Sequence, residues 1–360
     1  MKKKKWAVVL SGAAVVLVLG ACGNRGQTTS DEEIYVRTIL PDSQKEETDS
    51  QTAGGAGVKE KEADNLVFRQ KGAEQSLVTI DDGIVPLYSK PQGSLVRVPT
   101  ASGSVTYGNS TVAVDASNVQ SGYVMIKYMG SVNKIKVQIS KGGLTYTYDL
   151  NARNAYEVFP MSEGDGTYSI KVFENVSGNQ YSQAFSQDVS VALVNQFEPF
   201  LYPNQYINFS SGSAAVQKGA EIAASAPDAL GVVNSVYNYV VNNTTYDTNK
   251  AATVQSGYLP NVDQVLAART GICFDYAALM VSMLRSQDIP AKLVVGYTGS
   301  AYHAWVNVYI DGVGWIDNYI YFDGTNWSLA DPTFASTGGQ SESIKEYIGN
   351  GSNYQQKYCY

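Results

Sequence analysis

The chain has 360 residues, of which 44% are hydrophobic and 16% are charged, so it has enough apolar surface to build packed cores. It carries 26 lysines and arginines against 33 aspartates and glutamates, a formal net charge of -7. This acidic balance argues against nucleic-acid binding, which needs clustered cations opposite the phosphates. Three cysteines and one histidine also exclude a disulfide scaffold and an array of zinc ribbons.

The N-terminus has the pattern of a bacterial lipoprotein signal. Lys2 to Lys5 precede the apolar run from Trp6 to Ala21, which is shorter than the about 20 residues that a membrane-spanning helix needs. The end of that run, Leu19-Gly20-Ala21-Cys22, resembles a lipobox. We therefore predict a signal peptide over residues 1–21, a lipid on Cys22, and a location on the extracellular face of the bacterial cell membrane. An ordinary secretory signal or an uncleaved anchor is the alternative.

Two segments of different character follow. Residues 22–65 are polar and include the flexible stretch Ala53 to Gly57, so they are predicted to form a tether. Residues 66–195 are predicted to form a β-rich module, because period-2 segments such as Tyr123 to Tyr128 alternate with turn residues. This spacing favours a small immunoglobulin-like sandwich that serves as a spacer or docking domain.

After residue 195 the sequence combines helix-like and strand-like segments. Residues 213–226 have helical composition, and Asp228 has the position of an N-cap for a second helix with an apolar stripe. Residues 196–340 are therefore predicted to form an α+β domain, and residues 341–360 a C-terminal tail.

Cys273 is predicted to lie in the first turn of a helix. Gly271 breaks the preceding element, and residues 273–287 favour helix until Pro290 ends it. Unpaired amides and the helix dipole at that position favour the thiolate, which is the nucleophilic form. The alternative is a buried structural cysteine.

His303 lies in a predicted strand over residues 301–310. Ala304 and the following aliphatic residues point to one face, and His303, Trp305 and Asn307 point to the other. Since His303 is the single histidine, any imidazole-dependent chemistry must use it, although a lone histidine in a strand is usually structural.

Asp331 ends a strand-like run, and Pro332 terminates it. A carboxylate in this position can accept the second imidazole N–H of a histidine and fix its tautomer. Asp317 and Asp323, on the intervening hairpin, compete for this role, and an aspartate before proline is otherwise a turn signal.

Together these residues resemble the transglutaminase-like superfamily, whose core belongs to the papain-like thiol enzymes. The resemblance spans about residues 200 to 336 and includes Gly271-Ile272-Cys273, Val295-Gly296-Tyr297, His303-Ala304-Trp305 and Asp331-Pro332-Thr333-Phe334. It implies that Cys273 is the nucleophile, His303 the general base and acid, and Asp331 the orienting carboxylate. An extra hairpin from Gly312 to Gly324 separates His303 from the segment that carries Asp331.

The implied activity is that of a membrane-anchored thiol enzyme acting on protein or peptide amide bonds through a thioester. Hydrolysis is favoured over crosslinking, because nothing in the chain marks an amine-binding tunnel. The alternative is a catalytically silent binding or scaffold module on the cell surface. The backbone N–H of Cys273 is the expected oxyanion donor, and Tyr258 is a candidate for the second.

No cofactor is expected, since the chain has no Walker A loop, dinucleotide fingerprint or EF-hand loop. No metal is expected either, because Cys273, His303 and Asp331 lack a short ligand pair. The remaining cysteine, Cys359, is predicted to be a free thiol on a flexible tail or a partner in an intermolecular disulfide, and a disulfide with Cys273 is the alternative.

Overall fold

The first part of the described chain is built mainly from β-strands. The computed structural model describes residues 95–311, 314–316, 320–322, 327–329 and 354–360. Two antiparallel sheets of four strands occur here, with strand orders β1-β2-β3-β6 and β5-β4-β7-β8. The strands are β1 (Thr106–Gly108), β2 (Val112–Asp115), β3 (Tyr123–Tyr128), β4 (Ile135–Lys141), β5 (Leu144–Asp149), β6 (Tyr156–Pro160), β7 (Gly166–Ser177) and β8 (Gln180–Val191).

The sequence explains how these strands form. In β4, Ile135, Val137 and Ile139 are buried, while the alternating polar residues are partly exposed. This is the period of a strand with one face on the core. The predicted sheet-rich module is present in this form, whereas its immunoglobulin-like topology stays a prediction.

The second part combines helices with strands, so the predicted α+β class is confirmed. Its described elements, in chain order, are α1 (Ala214–Ala224), α2 (Ala229–Asn243), β9 (Thr245–Tyr246), α3 (Thr248–Thr253), α4 (Val262–Ala268), β10 (Thr270–Gly271), α5 (Cys273–Arg285), β11 (Ala291–Thr298), β12 (Ala301–Ile310), β13 (Gly314–Ile316), β14 (Ile320–Phe322), β15 (Trp327–Leu329) and β16 (Tyr354–Cys359). Within the described ranges, no helix is both long enough and apolar enough to cross a bilayer.

The helix boundaries follow local signals. Asp228 caps α2 by accepting a hydrogen bond from the backbone N–H of Gly231 at 2.7 Å, as its N-cap pattern predicted. Asp247 caps α3 in the same way through the N–H of Lys250. Each cap satisfies a backbone donor that the first helical turn leaves unpaired.

The main sheet of this part has the strand order β13-β12-β11-β16. The last strand comes from the C-terminal segment and pairs antiparallel with β11, with Cys359 opposite Val294. The prediction that Cys359 lies on a flexible tail is therefore wrong, although its thiol is free of a disulfide as predicted. Its side chain is 3% exposed, and burial raises the pKa of the thiol to about 11, so it stays protonated at neutral pH.

The two parts of the structure share one hydrophobic core, and the described residues fall within one compact unit. Aromatic contacts join them: the ring of Tyr148 on β5 lies 5.7 Å from that of Tyr206, and Tyr146 lies 5.0 Å from Tyr358 on β16. The β-rich part is thus packed against the α+β part.

The segment before β1 also contacts the α+β part. The N–H of Leu95 donates to the carbonyl oxygen of Ser286, directly after α5. The Arg97 guanidinium pairs with Glu198 at 2.7 Å and with Asp288 at 2.9 Å. These contacts fix residues 95–97 beside the end of α5.

Candidate active site

Cys273 occupies the first position of α5, where the sequence placed it. Ile272 before it is extended, with φ -98° and ψ 175°, and acts as the N-cap. The helix start is fixed by Asp275, whose Oδ2 accepts the Ile272 N–H at 2.9 Å. The Cys273 side chain is 0% exposed, and its thiol is free of any disulfide. The nucleophile candidate is therefore placed as predicted but is covered.

The helix carrying Cys273 is buried on every side. All of its residues are buried, because it packs against α1, α2 and α4 as well as against β11 and β12. A central helix of this kind has no freedom to shift without disturbing several neighbours, so the sulfur is held in a defined position.

The start of α5 lies toward the turn between β11 and β12. At the other end of the helix, the Nε of Arg285 donates to the carbonyl oxygen of Ala291, the first residue of β11. The helix is about 20 Å long and packs against both β11 and β12. The thiol of Cys273 contributes to the raised pKa of Tyr302, the second residue of β12, so Cys273 and the first residues of β12 lie at the same end of this layer.

His303 lies at that end, as the third residue of β12. It is 1% exposed and pairs with Gly296 of β11. Its ring stacks near that of Trp305, with centroids 6.4 Å apart. A Cβ on Gly296 would lie 2.9 Å from the Trp305 ring and 2.0 Å from the carbonyl oxygen of Gln355, so only glycine fits beside this pair.

The sequence reasoning missed Tyr302. It belongs to the core cluster that contains Cys273, whereas Trp305, on the His303 face, belongs to a second cluster with Phe200 and Tyr354. Tyr302 is 8% exposed, and among the described residues its hydroxyl has no hydrogen-bond partner. Strand alternation, which separates Tyr302 from His303, is the signal that could have found it.

The pKa of the Tyr302 hydroxyl depends on its burial and on neighbouring groups, including Cys273. Burial raises the pKa of Tyr302 well above its usual value, and neighbouring ionisable groups, Cys273 among them, raise it further. Tyr302 therefore stays a neutral hydroxyl close to the sulfur.

Tyr258 has a different role from the predicted one. Its hydroxyl donates to Oδ1 of Asp275 at 2.5 Å and accepts from Nζ of Lys250 at 2.6 Å. Since its single proton is used in the bond to Asp275, the prediction that Tyr258 is an oxyanion donor is wrong.

Several predicted residues lie outside the described residues. They are Asp331, its competitors Asp317 and Asp323, and the predicted lipidation site Cys22. The carboxylate of the triad and the lipid anchor thus stay predictions.

Comparison with known proteins gives a family assignment for part of the chain. Residues 217–332 match the model of the transglutaminase-like superfamily. This match includes Cys273 and His303 and confirms the predicted transglutaminase-like domain, while its bounds of 196–340 stay a prediction. The uncharacterized protein YebA of Bacillus subtilis (strain 168) is 33% identical over 104 residues, which cover 23% of this chain and 14% of YebA.

Two solved structures resemble the chain at low identity. A "putative cysteine protease" from Cytophaga hutchinsonii is 16% identical, with a TM-score of 0.30 over 64% of this chain and 79% of that one. Red sea bream transglutaminase is 12% identical, with a TM-score of 0.26 over 63% of this chain and 53% of that one. Both TM-scores lie below 0.5, so neither superposition establishes a shared overall fold.

Proposed function

We propose that the protein is a thiol enzyme that acts on amide bonds of proteins or peptides. Cys273 is the nucleophile, His303 the general base and acid, and Asp331 the carboxylate that orients the imidazole. The observation that carries the proposal is the position of Cys273 at the start of a rigid helix, inside the segment matching the transglutaminase-like superfamily. The single histidine follows Tyr302 in β12, and Tyr302 lies near the Cys273 sulfur.

The proposed chemistry begins with transfer of the Cys273 thiol proton to His303. The thiolate attacks the amide carbonyl carbon and forms a tetrahedral oxyanion, which the backbone N–H of Cys273 stabilises. The C–N bond then breaks, the leaving amine takes the proton from His303, and a thioester remains on Cys273. Attack by water releases a carboxylic acid and restores the thiol, whereas attack by a primary amine forms a new amide.

We also propose where in the cell this enzyme acts. A lipid on Cys22 would hold the enzyme on the extracellular face of the cell membrane, and residues 22–65 would act as the tether. The substrates would then be proteins or peptides at the cell surface.

A second candidate function rests on one observation. Cys273 is 0% exposed, and a thiol covered in this way cannot attack a substrate until its cover moves. This burial favours a transglutaminase-like domain that is kept as a binding or scaffold module.

The test is incubation of the full chain with unfolded casein and a labelled primary amine. We expect cleavage of casein with little incorporation of the amine, because hydrolysis is the favoured outcome of the thioester. Incorporation without cleavage would show a crosslinking enzyme with the same triad. If neither product forms above the level of a heat-inactivated sample, the scaffold function replaces the enzymatic one.

A further inference from the structure

A polar cluster lies next to the first turn of α5. The carboxylate of Asp275 is 0% exposed, yet both of its oxygens are paired. Its Oδ2 accepts from the Ile272 N–H at 2.9 Å and from Nζ of Lys250 at 2.6 Å, and Oδ1 accepts from the Tyr258 hydroxyl. These three donors compensate the burial of the carboxylate.

Three separate segments meet at this carboxylate. Lys250 comes from α3, Tyr258 from the segment before α4, and Asp275 from α5 itself. The ammonium of Lys250 also lies 4.3 Å from the centre of the Tyr258 ring, which adds a cation–π contact. Gly271 completes the arrangement, because a Cβ there would lie 2.6 Å from the Cβ of Asp275.

We infer that Lys250, Asp275 and Tyr258 form a brace that positions the first turn of α5 and balances the charge beside the Cys273 thiol. The inference rests on the proposed function, since it concerns the reactivity of the nucleophile. Asp275 lies two residues after Cys273. A carboxylate in the same helical turn as the sulfur would oppose a thiolate if it had no counter-ion, and the Lys250 ammonium offsets that charge.

Other ionisable groups also face this end of the helix. From β12 these are Tyr302, whose raised pKa keeps it neutral, and His303 at the same end of the sheet. From the α3 side, Asp247 caps the helix that carries Lys250. None of these is changed in the variants below, so their effects cancel when variants are compared with the wild type.

The experiment measures the pH midpoint of Cys273 alkylation by iodoacetamide in the full protein, with the modified peptide identified by mass spectrometry. In Lys250→Met the midpoint is expected to move up by about one pH unit, and in Asp275→Asn down by about one unit. The double variant is expected to return close to the wild type, because both charges are removed together.

Two controls separate charge from structure. Lys250→Arg keeps the cation and is expected to restore most of the wild-type midpoint. Tyr258→Phe removes a hydrogen bond but no charge, so it is expected to lower thermal stability and to move the midpoint less than Lys250→Met does.

The inference is overturned if the two single variants shift the midpoint in the same direction, or if neither shifts it while both lower thermal stability. This outcome is distinct from failure of the proposed function. An unreactive wild-type Cys273 at neutral pH would contradict the enzyme, while the relative shifts would still measure the brace at alkaline pH.

Discussion

Replacing Cys273 by alanine is expected to lower the rate of casein cleavage by about 10⁴-fold or more, because the proposed nucleophile and its proposed thioester are lost together. The substitution removes one sulfur atom from the start of α5, a position where alanine is well tolerated by a helix. The far-ultraviolet circular dichroism spectrum is therefore expected to stay that of the wild type. The measurement is the initial rate of fragment release at equal protein concentration.

The chain offers a matched control in Cys359, the other cysteine within the described residues. Like Cys273 it is buried, and its thiol lies 3.8 Å from the Tyr146 hydroxyl, far along the chain from the proposed nucleophile. Cys359→Ala is expected to keep the wild-type rate. Equal rates for Cys273→Ala and Cys359→Ala would show that the cleavage does not depend on Cys273.

Replacing Arg285 by alanine is expected to lower the free energy of unfolding by about 3–5 kcal/mol. Arg285 ends α5, is fully buried, and donates to the carbonyl oxygens of Ala291 at 2.9 Å, Tyr202 at 2.5 Å and Tyr360 at 2.7 Å. Burial lowers the pKa of its guanidinium, and these three acceptors offset the cost of the charge. The substitution leaves the acceptors unpaired and opens a cavity at the junction of three segments.

Urea denaturation at pH 7 measures this loss. The control is Arg269→Ala, which changes an exposed arginine after α4 and is expected to cost no more than about 0.5 kcal/mol. A loss below about 1 kcal/mol in Arg285→Ala would mean that the three hydrogen bonds do not stabilise the junction.

Local signals predicted a large share of the elements. The alternating run Tyr123–Tyr128 is a strand, Asp228 caps a helix, and residues 301–310 form β12 over the expected range. Cys273 opens its helix because Gly271 and Pro290 bound a run of good helix formers. Each of these signals depends on neighbours a few residues apart.

The features that were missed depend on pairing between distant segments. Cys359 contacts Tyr146 across more than two hundred residues, and no local pattern specifies that β16 pairs with β11. The contact of Lys250 with Asp275 likewise requires α3 to fold against α5. The sequence identifies Tyr258 as an aromatic residue near the proposed site. Only the folded structure shows which group accepts the hydrogen bond of its hydroxyl.

The most direct test of the central claim, that His303 activates Cys273, is the ratio of iodoacetamide alkylation rates of Cys273 at pH 6 and pH 9. Taking this ratio cancels the effect of burial on reagent access. We expect a ratio of about one third or more in the wild type, falling to about one two-hundredth in His303→Ala, the value for an ordinary thiol. The same ratio in both proteins would contradict the activation of Cys273 by His303.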